Sequence, residues 1–363
     1  MRAALCASGA ALFSDVFPEN ARVKRHEARY YKKLAGDKVQ CLLCPWCCVV
    51  LPGARGQCNV RENVRGGYQT LVYGTASACH IDPIEKKPFF HFLPGQAAYS
   101  LATAGCNLEC KFCQNWELAR RSPEEVFRYG QTLPPDEAVR QAAGQGCPII
   151  AFTYNEPVIS LEYTIDIATL AREKGIRNVV VSNGFIRKEP LQDVCKVIDA
   201  YKVDLKGFTE SYYEQIVGGS LAPVLDTLVF LKERGIWTEI VYLVVPTYND
   251  GETEIRNMVE WVGKHLGPDV PVHFSRFYPQ YKLKNLPPTP VSTLEKARRI
   301  GLEAGLHYVY LGNVPGHAGE STTCPACGRL VITRTGYSIL ENRLKSGKCG
   351  YCGNPVSGVW SAA

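Results

Sequence analysis

From Ala98 onward the chain repeats one unit, a short apolar run followed by a longer amphipathic stretch. The apolar runs at 98–103, 148–154, 178–183, 201–206, 238–246, 271–277 and 307–312 read as buried strands. Helical patterns fill the gaps at 136–143, 158–174, 189–198, 222–234, 252–265 and 294–304. A strand that returns through a helix pairs with a parallel neighbour, so the expected fold class is α/β, a parallel sheet curled into a partial or full (β/α) barrel. Chemistry then belongs at the C-terminal ends of the strands. Ser292-Thr293-Leu294-Glu295 predicts a capping box at the start of the last helix. Gly175, Gly235 and Gly305 fall where helix ends call for left-handed backbone. At 363 residues the chain exceeds a single core. Three pieces are expected: a Cys-rich domain over 1–97, the barrel over 98–314, and a zinc-ribbon- or rubredoxin-like module over 315–363.

The barrel does not account for sixteen cysteines, most of them in C-x-x-C-like groups. In a chain this long they are not a disulfide scaffold; they point to metal bound by free thiolates, and so to a reducing, cytoplasmic setting. The stretch 1–13 is a poor signal peptide, and no run reaches the roughly 18 apolar residues of a spanning helix, so no membrane partner is expected. The net charge of +6 is too thin to argue for nucleic acid. Phosphate-loop, serine-elbow and H-E-x-x-H patterns are absent from the sequence.

Cys106, Cys110 and Cys113 follow the first strand of the repeat in the order C-x3-C-x2-C, with no fourth cysteine adjacent. Three thiolates can hold three irons of a [4Fe–4S] cube and leave the fourth iron open. An iron with a free corner can chelate the amino and carboxylate groups of S-adenosylmethionine and pass an electron to its sulfonium. A three-cysteine zinc site is the plainer alternative. Glu156, Asp204 and Lys206 are ionisable residues at strand ends, where charges need partners. A zwitterionic ligand would supply them, as would a salt bridge at the barrel rim.

These residues resemble the radical S-adenosylmethionine superfamily. The resemblance implies that Phe112 lies beside the adenine and that Glu156, in Thr153-Tyr154-Asn155-Glu156-Pro157, holds the methionyl amine. It also implies that Ser182 and Asn183 contact the ribose. Asp204-Leu205-Lys206 is similar to the Asp-Leu-Lys of pyruvate formate-lyase activating enzymes, where the lysine meets the methionyl carboxylate. The opening Cys41-Leu42-Leu43-Cys44-Pro45, then Gly53-Ala54-Arg55-Gly56-Gln57-Cys58 and the segment Asp82-Pro83-Ile84-Glu85-Lys86-Lys87-Pro88, resembles the AmmeMemoRadiSam radical enzymes. So does Cys113-Gln114-Asn115, which places Asn115 among the cofactor-binding positions. The resemblance implies an external flavodoxin- or ferredoxin-type electron donor, and Memo-like and AMMECR-like partner proteins.

Two further cysteine sets stand apart from that trio. Cys324, Cys327, Cys349 and Cys352 form two C-x2-C-G knuckles, a closed four-thiolate site for structural zinc, with rubredoxin-like iron as the alternative. Cys41, Cys44, Cys48 and Cys58 form a second set, for zinc or an auxiliary cluster. Within 1–97, residues 22–33 read as a basic, helix-like, solvated face, followed by five cysteines between 41 and 58 and then by mixed loops. Alternation puts His273 on one face of its strand with Ser275, facing either the lumen beside a ligand or a satisfied core position. The expected activity is reductive cleavage of S-adenosylmethionine and hydrogen abstraction from a substrate. A glycyl-radical-enzyme activase is the alternative within that chemistry, and a metal-stabilised RNA- or protein-binding scaffold the alternative outside it.

Overall fold

The computed structural model describes residues 23–361. Its centre is an eight-stranded sheet whose strands lie in chain order. We number them β1 (Ala78–Pro83), β2 (Ala97–Ala102), β3 (Ile149–Phe152), β4 (Arg177–Ser182), β5 (Ala200–Asp204), β6 (Trp237–Val244), β7 (Val272–Arg276) and β8 (Val309–Gly312). Strands β2 to β8 pair in parallel, whereas β1 pairs antiparallel with β2. Among the described residues no pairing joins β8 to β1, so the sheet is a partial barrel with an antiparallel edge strand.

The crossovers run through α1 (Pro135–Gly144), α2 (Leu161–Glu173), α3 (Lys188–Val194), α4 (Ala222–Glu233), α5 (Glu252–His265) and α6 (Val291–Glu303). Gly175, Gly235 and Gly305 take positive φ after α2, α4 and α6, as expected of left-handed helix ends. The expected capping box does not form. Helix α6 begins at Val291 behind Pro290, with no side-chain cap, because the fixed proline backbone starts the helix before Ser292. Among the described residues no single helix is long and apolar enough to cross a membrane.

The two faces of the sheet bury different partners. Tyr99, Leu101, Ile150, Phe152, Val180, Tyr201 and Val203 belong to one large core with the helices. The opposite face carries Ala98, Ala151 and Ala200 beside Ile149 and Val179, and these pack under Ile84, Phe89, Phe92 and Leu93. The segment 84–93, expected as mixed loop, is therefore a plug inside the curled sheet. It is a plug because its apolar side chains fill the volume those alanines leave.

The flanking pieces grip this assembly from two sides. The basic run is not helical: it forms the short strands His26–Glu27 and Tyr31–Lys33, and Arg22 lies outside the described residues. Two of its charges are paired, Arg25 with Glu62 at 3.1 Å and Arg29 with Asp166 at 3.0 Å, while Lys24, Lys32 and Lys33 are exposed. Extended backbone follows from the hydrogen bonds these strands make, to Gly67–Thr70 and to Val39–Cys41. Arg61, fully buried, pairs with Glu162 of α2. At the other end of the chain, strand Leu330–Thr335, paired with the largely exposed Ser338–Asn342, packs on the plug through Val331 and Phe90. There Arg334 Nη2 donates to the Phe90 carbonyl at 2.7 Å, and Val359 N to the His91 carbonyl at 2.8 Å.

Candidate functional site

A cavity of about 540 Å³ opens at the C-terminal ends of the strands. Its walls include Cys106, Cys110, Cys113, Glu156, Asp204 and Lys206. Phe112, Asn115, Ser182 and Asn183 line it as well.

The loop carrying the three cysteines is fixed from several directions. Asn155, at the end of β3, donates from Nδ2 to the Thr103 hydroxyl at 3.0 Å and to the Gly105 carbonyl at 3.1 Å. It also accepts from Thr103 N at 3.1 Å. Asn183, after β4, donates to Asn107 Oδ1 at 2.8 Å, and Asn107 Nδ2 donates to the Phe185 carbonyl at 2.7 Å. From the N-terminal piece, Trp46 Nε1 donates to the Asn107 carbonyl at 2.7 Å. Gly105 shows why no side chain is tolerated between strand and loop. Its φ is +91°, and a Cβ there would lie 2.5 Å from Val60 Cγ1 and 2.9 Å from the Cys58 carbonyl oxygen. The Cys58 segment thus presses on the backbone one residue before Cys106.

The three thiols are half-buried and within one another's electrostatic reach. Burial raises all three, Cys110 to about 12, against the opposing pull of the Lys206 ammonium on Cys110 and Cys113. Leu108 N donates to Cys106 Sγ at 3.4 Å. Such thiols become thiolates when a positive metal centre joins them, so the donor set fits an iron–sulfur cluster.

Glu156 sits at the end of β3, almost fully buried. One oxygen accepts from Val158 N at 3.0 Å and from the Ser182 hydroxyl at 2.7 Å; the other accepts from Asn183 N at 2.8 Å. Burial raises it to about 7 despite these donors. A carboxylate has about four acceptor positions, so one is left for an ammonium. Ser182 also accepts from Gly184 N at 3.0 Å, and Asn183 Oδ1 accepts from Phe185 N at 2.8 Å, so both side chains already brace the turn. Asn115 Nδ2 donates to the Tyr154 carbonyl at 2.6 Å. Phe112 is buried and lies parallel to Tyr212, ring centres 6.4 Å apart.

Alternation along β5 sends Lys202, Asp204 and Lys206 to the same side. Lys206 Nζ donates to Asp204 Oδ2 at 2.9 Å, and Lys202 Nζ to Asp204 Oδ1. Burial alone would raise Asp204, but the two ammoniums outweigh it and hold the carboxyl at about 2.

His273 is placed differently. It does face the plug side, but it does not line the cavity, because Phe90 stands edge-on to it with ring centres 4.8 Å apart. Its Nε2 lies 2.8 Å from Glu239 Oε2, the pair is buried, and the ring stacks on Tyr310. It is a satisfied core histidine, shut off from any ligand by the plug.

Sequence reasoning missed other polar residues of the wall, among them Lys86, Lys87, Tyr154, Asn155 and Lys202. The first two could not be read, because nothing in a loop-like segment says that it folds back into the sheet. Lys202 could have been, since charged residues at 202, 204 and 206 share one face. Tyr154 has φ +70°, costly for a bulky side chain, and its hydroxyl bonds Asp82.

In the C-terminal module Cys324 Sγ lies 3.7 Å from Cys352 Sγ, and Cys327 Sγ 3.8 Å from Cys349 Sγ. All four sulfurs fall within 4.8 Å of one another. Four thiolates at about 2.3 Å from one ion stand roughly 3.8 Å apart, so this set fits a single tetrahedral metal. The N-terminal thiols of Cys41, Cys44, Cys48 and Cys58 also act on one another, and burial raises Cys41, Cys44 and Cys58, the last to about 11.

The sequence profile of the Radical SAM superfamily matches residues 100–261. Protein MJ0808 of Methanocaldococcus jannaschii is 43% identical over 333 residues, spanning 91% of this chain and 98% of that protein. The pyruvate formate-lyase-activating enzyme of Listeria monocytogenes is 27% identical over 177 residues, 44% of this chain and 66% of that enzyme. A radical SAM methyltransferase from Sphaerobacter thermophilus superposes with a TM-score of 0.48 at 15% identity, over 66% of this chain and 71% of that structure.

Proposed function

Residues 100–261 make up a Radical SAM domain, and on that premise we propose that Cys106, Cys110 and Cys113 hold a [4Fe–4S] cluster that works with S-adenosylmethionine on a substrate in the adjoining cavity. One observation carries this reading: a single cavity gathers the three thiols with Glu156, Asp204 and Lys206. When bound, the cofactors supply reductive cleavage of the sulfonium to methionine and a 5′-deoxyadenosyl radical that takes hydrogen from substrate, with the electron drawn from an external flavodoxin- or ferredoxin-type donor.

The chain's own residues bind and orient. Lys206 offers an ammonium to the methionyl carboxylate, and Asp204 keeps it charged and aimed. Glu156 offers its remaining acceptor position to the methionyl amine. Phe112 presents an aromatic wall, with Asn115, Ser182 and Asn183 setting the positions of the backbone around it. Asn155 and Asn183 hold the cysteine loop still, so its geometry is set before ligand arrives. Anaerobically reconstituted Cys110→Ala protein with dithionite should release no 5′-deoxyadenosine. Release at the wild-type rate would overturn the assignment.

The proposal extends to placement within the AmmeMemoRadiSam group, with Memo-like and AMMECR-like proteins as partners and a cytoplasmic setting suited to free thiolates. It assigns zinc to Cys324, Cys327, Cys349 and Cys352, and zinc or an auxiliary cluster to Cys41, Cys44, Cys48 and Cys58. The activase alternative rests on the similarity to pyruvate formate-lyase-activating enzymes, and glycyl-radical EPR on a co-expressed partner decides it. A non-catalytic scaffold predicts no cleavage in the same dithionite assay.

A further inference from the structure

Two pairs of lysines meet in the cavity, and each pair shares one carboxylate. Lys86 Nζ and Lys87 Nζ donate to opposite oxygens of Asp82, at 2.7 and 2.6 Å. Lys202 and Lys206 do the same with Asp204. All four lysines line the cavity. The side chains of Lys87 and Lys202 are only 2% and 6% exposed. The pairs are near enough for the Lys202 charge to act against that of Lys87. Two of these lysines come from the plug and two from β5 and the residues just after it, so the folding of the plug into the sheet is what brings the like charges together.

Four ammoniums therefore face two carboxylates. Glu156 adds a third carboxylate but only neutral donors bond it, Val158 N, Asn183 N and the Ser182 hydroxyl, so its charge stays available to an ammonium and one positive charge remains in excess. With S-adenosylmethionine bound as proposed, its last acceptor position and Lys206 are taken by the two ends of the methionyl group. What is left is Lys86, Lys87 and Lys202 against Asp82 and Asp204, an excess of one positive charge beside the buried Lys87 and Lys202. Burial of that kind is costly without an anion beside it. The surroundings suit a small polar ligand: the Tyr154 ring lies 4.1 Å from Lys87 Nζ, and Ser275, Asn313 and Tyr337 complete the wall.

We propose that the substrate is an anion whose carboxylate or phosphate group is bound between Lys87 and Lys202. The inference rests on the radical SAM reading only in assigning Lys206 and Glu156 to the methionyl group. Burial lowers the Lys87 ammonium to about 8, ahead of the opposing pull of Asp82. A bound oxyanion would favour the charged form again. Lys87 and Lys202 thus act as specificity-determining residues for the substrate end remote from its reacting carbon.

The test uses the anaerobically reconstituted full chain with S-adenosylmethionine present. Succinate, inorganic phosphate and the uncharged succinamide are each titrated by calorimetry. At least one of the two anions should bind and succinamide should not; which anion binds more tightly separates a carboxylate from a phosphate substrate. Lys87→Met should weaken that binding by about tenfold or more, with Lys87→Arg recovering part of it. Lys86→Met, whose side chain is 43% exposed in the wild type, serves where Lys87→Met does not fold, with an expected loss of about threefold. The exposed Lys264→Met is the control and should bind as the wild type does. Failure of both anions to bind, binding of succinamide as tight as theirs, or unchanged binding in the Lys87 and Lys86 variants overturns the proposal. Binding of S-adenosylmethionine to the wild type, read from the EPR of the reduced cluster, is measured separately. If it fails while the anions still bind, the radical SAM reading falls and the anion site stands.

Discussion

Gly105→Ala tests whether the N-terminal Cys-rich piece supports the cluster loop. Two costs combine at this position. With φ at +91°, any L side chain strains the backbone, by roughly 1–2 kcal/mol. The new methyl would also sit 2.5 Å from Val60 Cγ1 and 2.9 Å from the Cys58 carbonyl oxygen, and forcing that contact apart costs about 1–3 kcal/mol more. Gly175→Ala separates the two terms, because Gly175 has φ +71° and a Cβ added there would meet nothing within 4 Å. The expected destabilisation in urea is therefore about 1–2 kcal/mol for Gly175→Ala and about 2–5 kcal/mol for Gly105→Ala. Val60→Ala in the Gly105→Ala background removes the nearest methyl and should recover part of the difference, a coupling a double-mutant cycle reads directly. The same protein should also take up less iron on reconstitution, because the displaced backbone leads into Cys106. Equal losses from the two alanines would refute the argument that the Cys58 segment packs on the loop.

Other perturbations probe the interior and the second metal site. Arg61→Met strands the Glu162 carboxylate in the interior and should cost about 3–5 kcal/mol in urea unfolding, whereas Arg61→Met with Glu162→Leu should cost far less; equal losses would contradict it. Burial, acting ahead of the opposing pull of Glu239, lowers His91 to about 4, so the fold holds it neutral while the unfolded chain protonates near 6.5. The unfolded state then binds the extra proton between those values, so stability is full above about pH 6.5 and falls toward about pH 4, by on the order of 3 kcal/mol. His91→Gln should flatten that limb of a stability–pH curve, and an unchanged slope would count against it. Cys324→Ser should abolish one bound metal per chain by elemental analysis and leave the iron of the Cys106 loop in place; a parallel loss of that iron would show that the two centres are not separate.

Much of the architecture was legible because the governing patterns are local. Buried parallel strands need unbroken apolar runs, and Ile149-Ile150-Ala151-Phe152 can do little else; the helices between them carry their period in neighbouring residues. The grouping of Cys106, Cys110 and Cys113, and of the knuckles at 324–327 and 349–352, is likewise written in short spacings. Ends of elements were less secure: the Pro290 backbone started α6 ahead of the cap that Ser292 to Glu295 offered. The basic run at 24–33 misled because charge says nothing of φ and ψ, and its strands exist only through partners remote in the chain, such as Thr70 opposite His26.

What tertiary structure alone decided is the fate of the segment between β1 and β2. Ile84, Phe89 and Phe92 become a plug because the sheet offers Ala98, Ala151 and Ala200 on the face they fill, residues contributed by three separate strands. That one packing event covers His273 with Phe90 and carries Lys86 and Lys87 to the side of Lys202. A linear chain records which charges exist. Which of them must share a cavity depends on distances that arise only when remote segments are packed into the same volume.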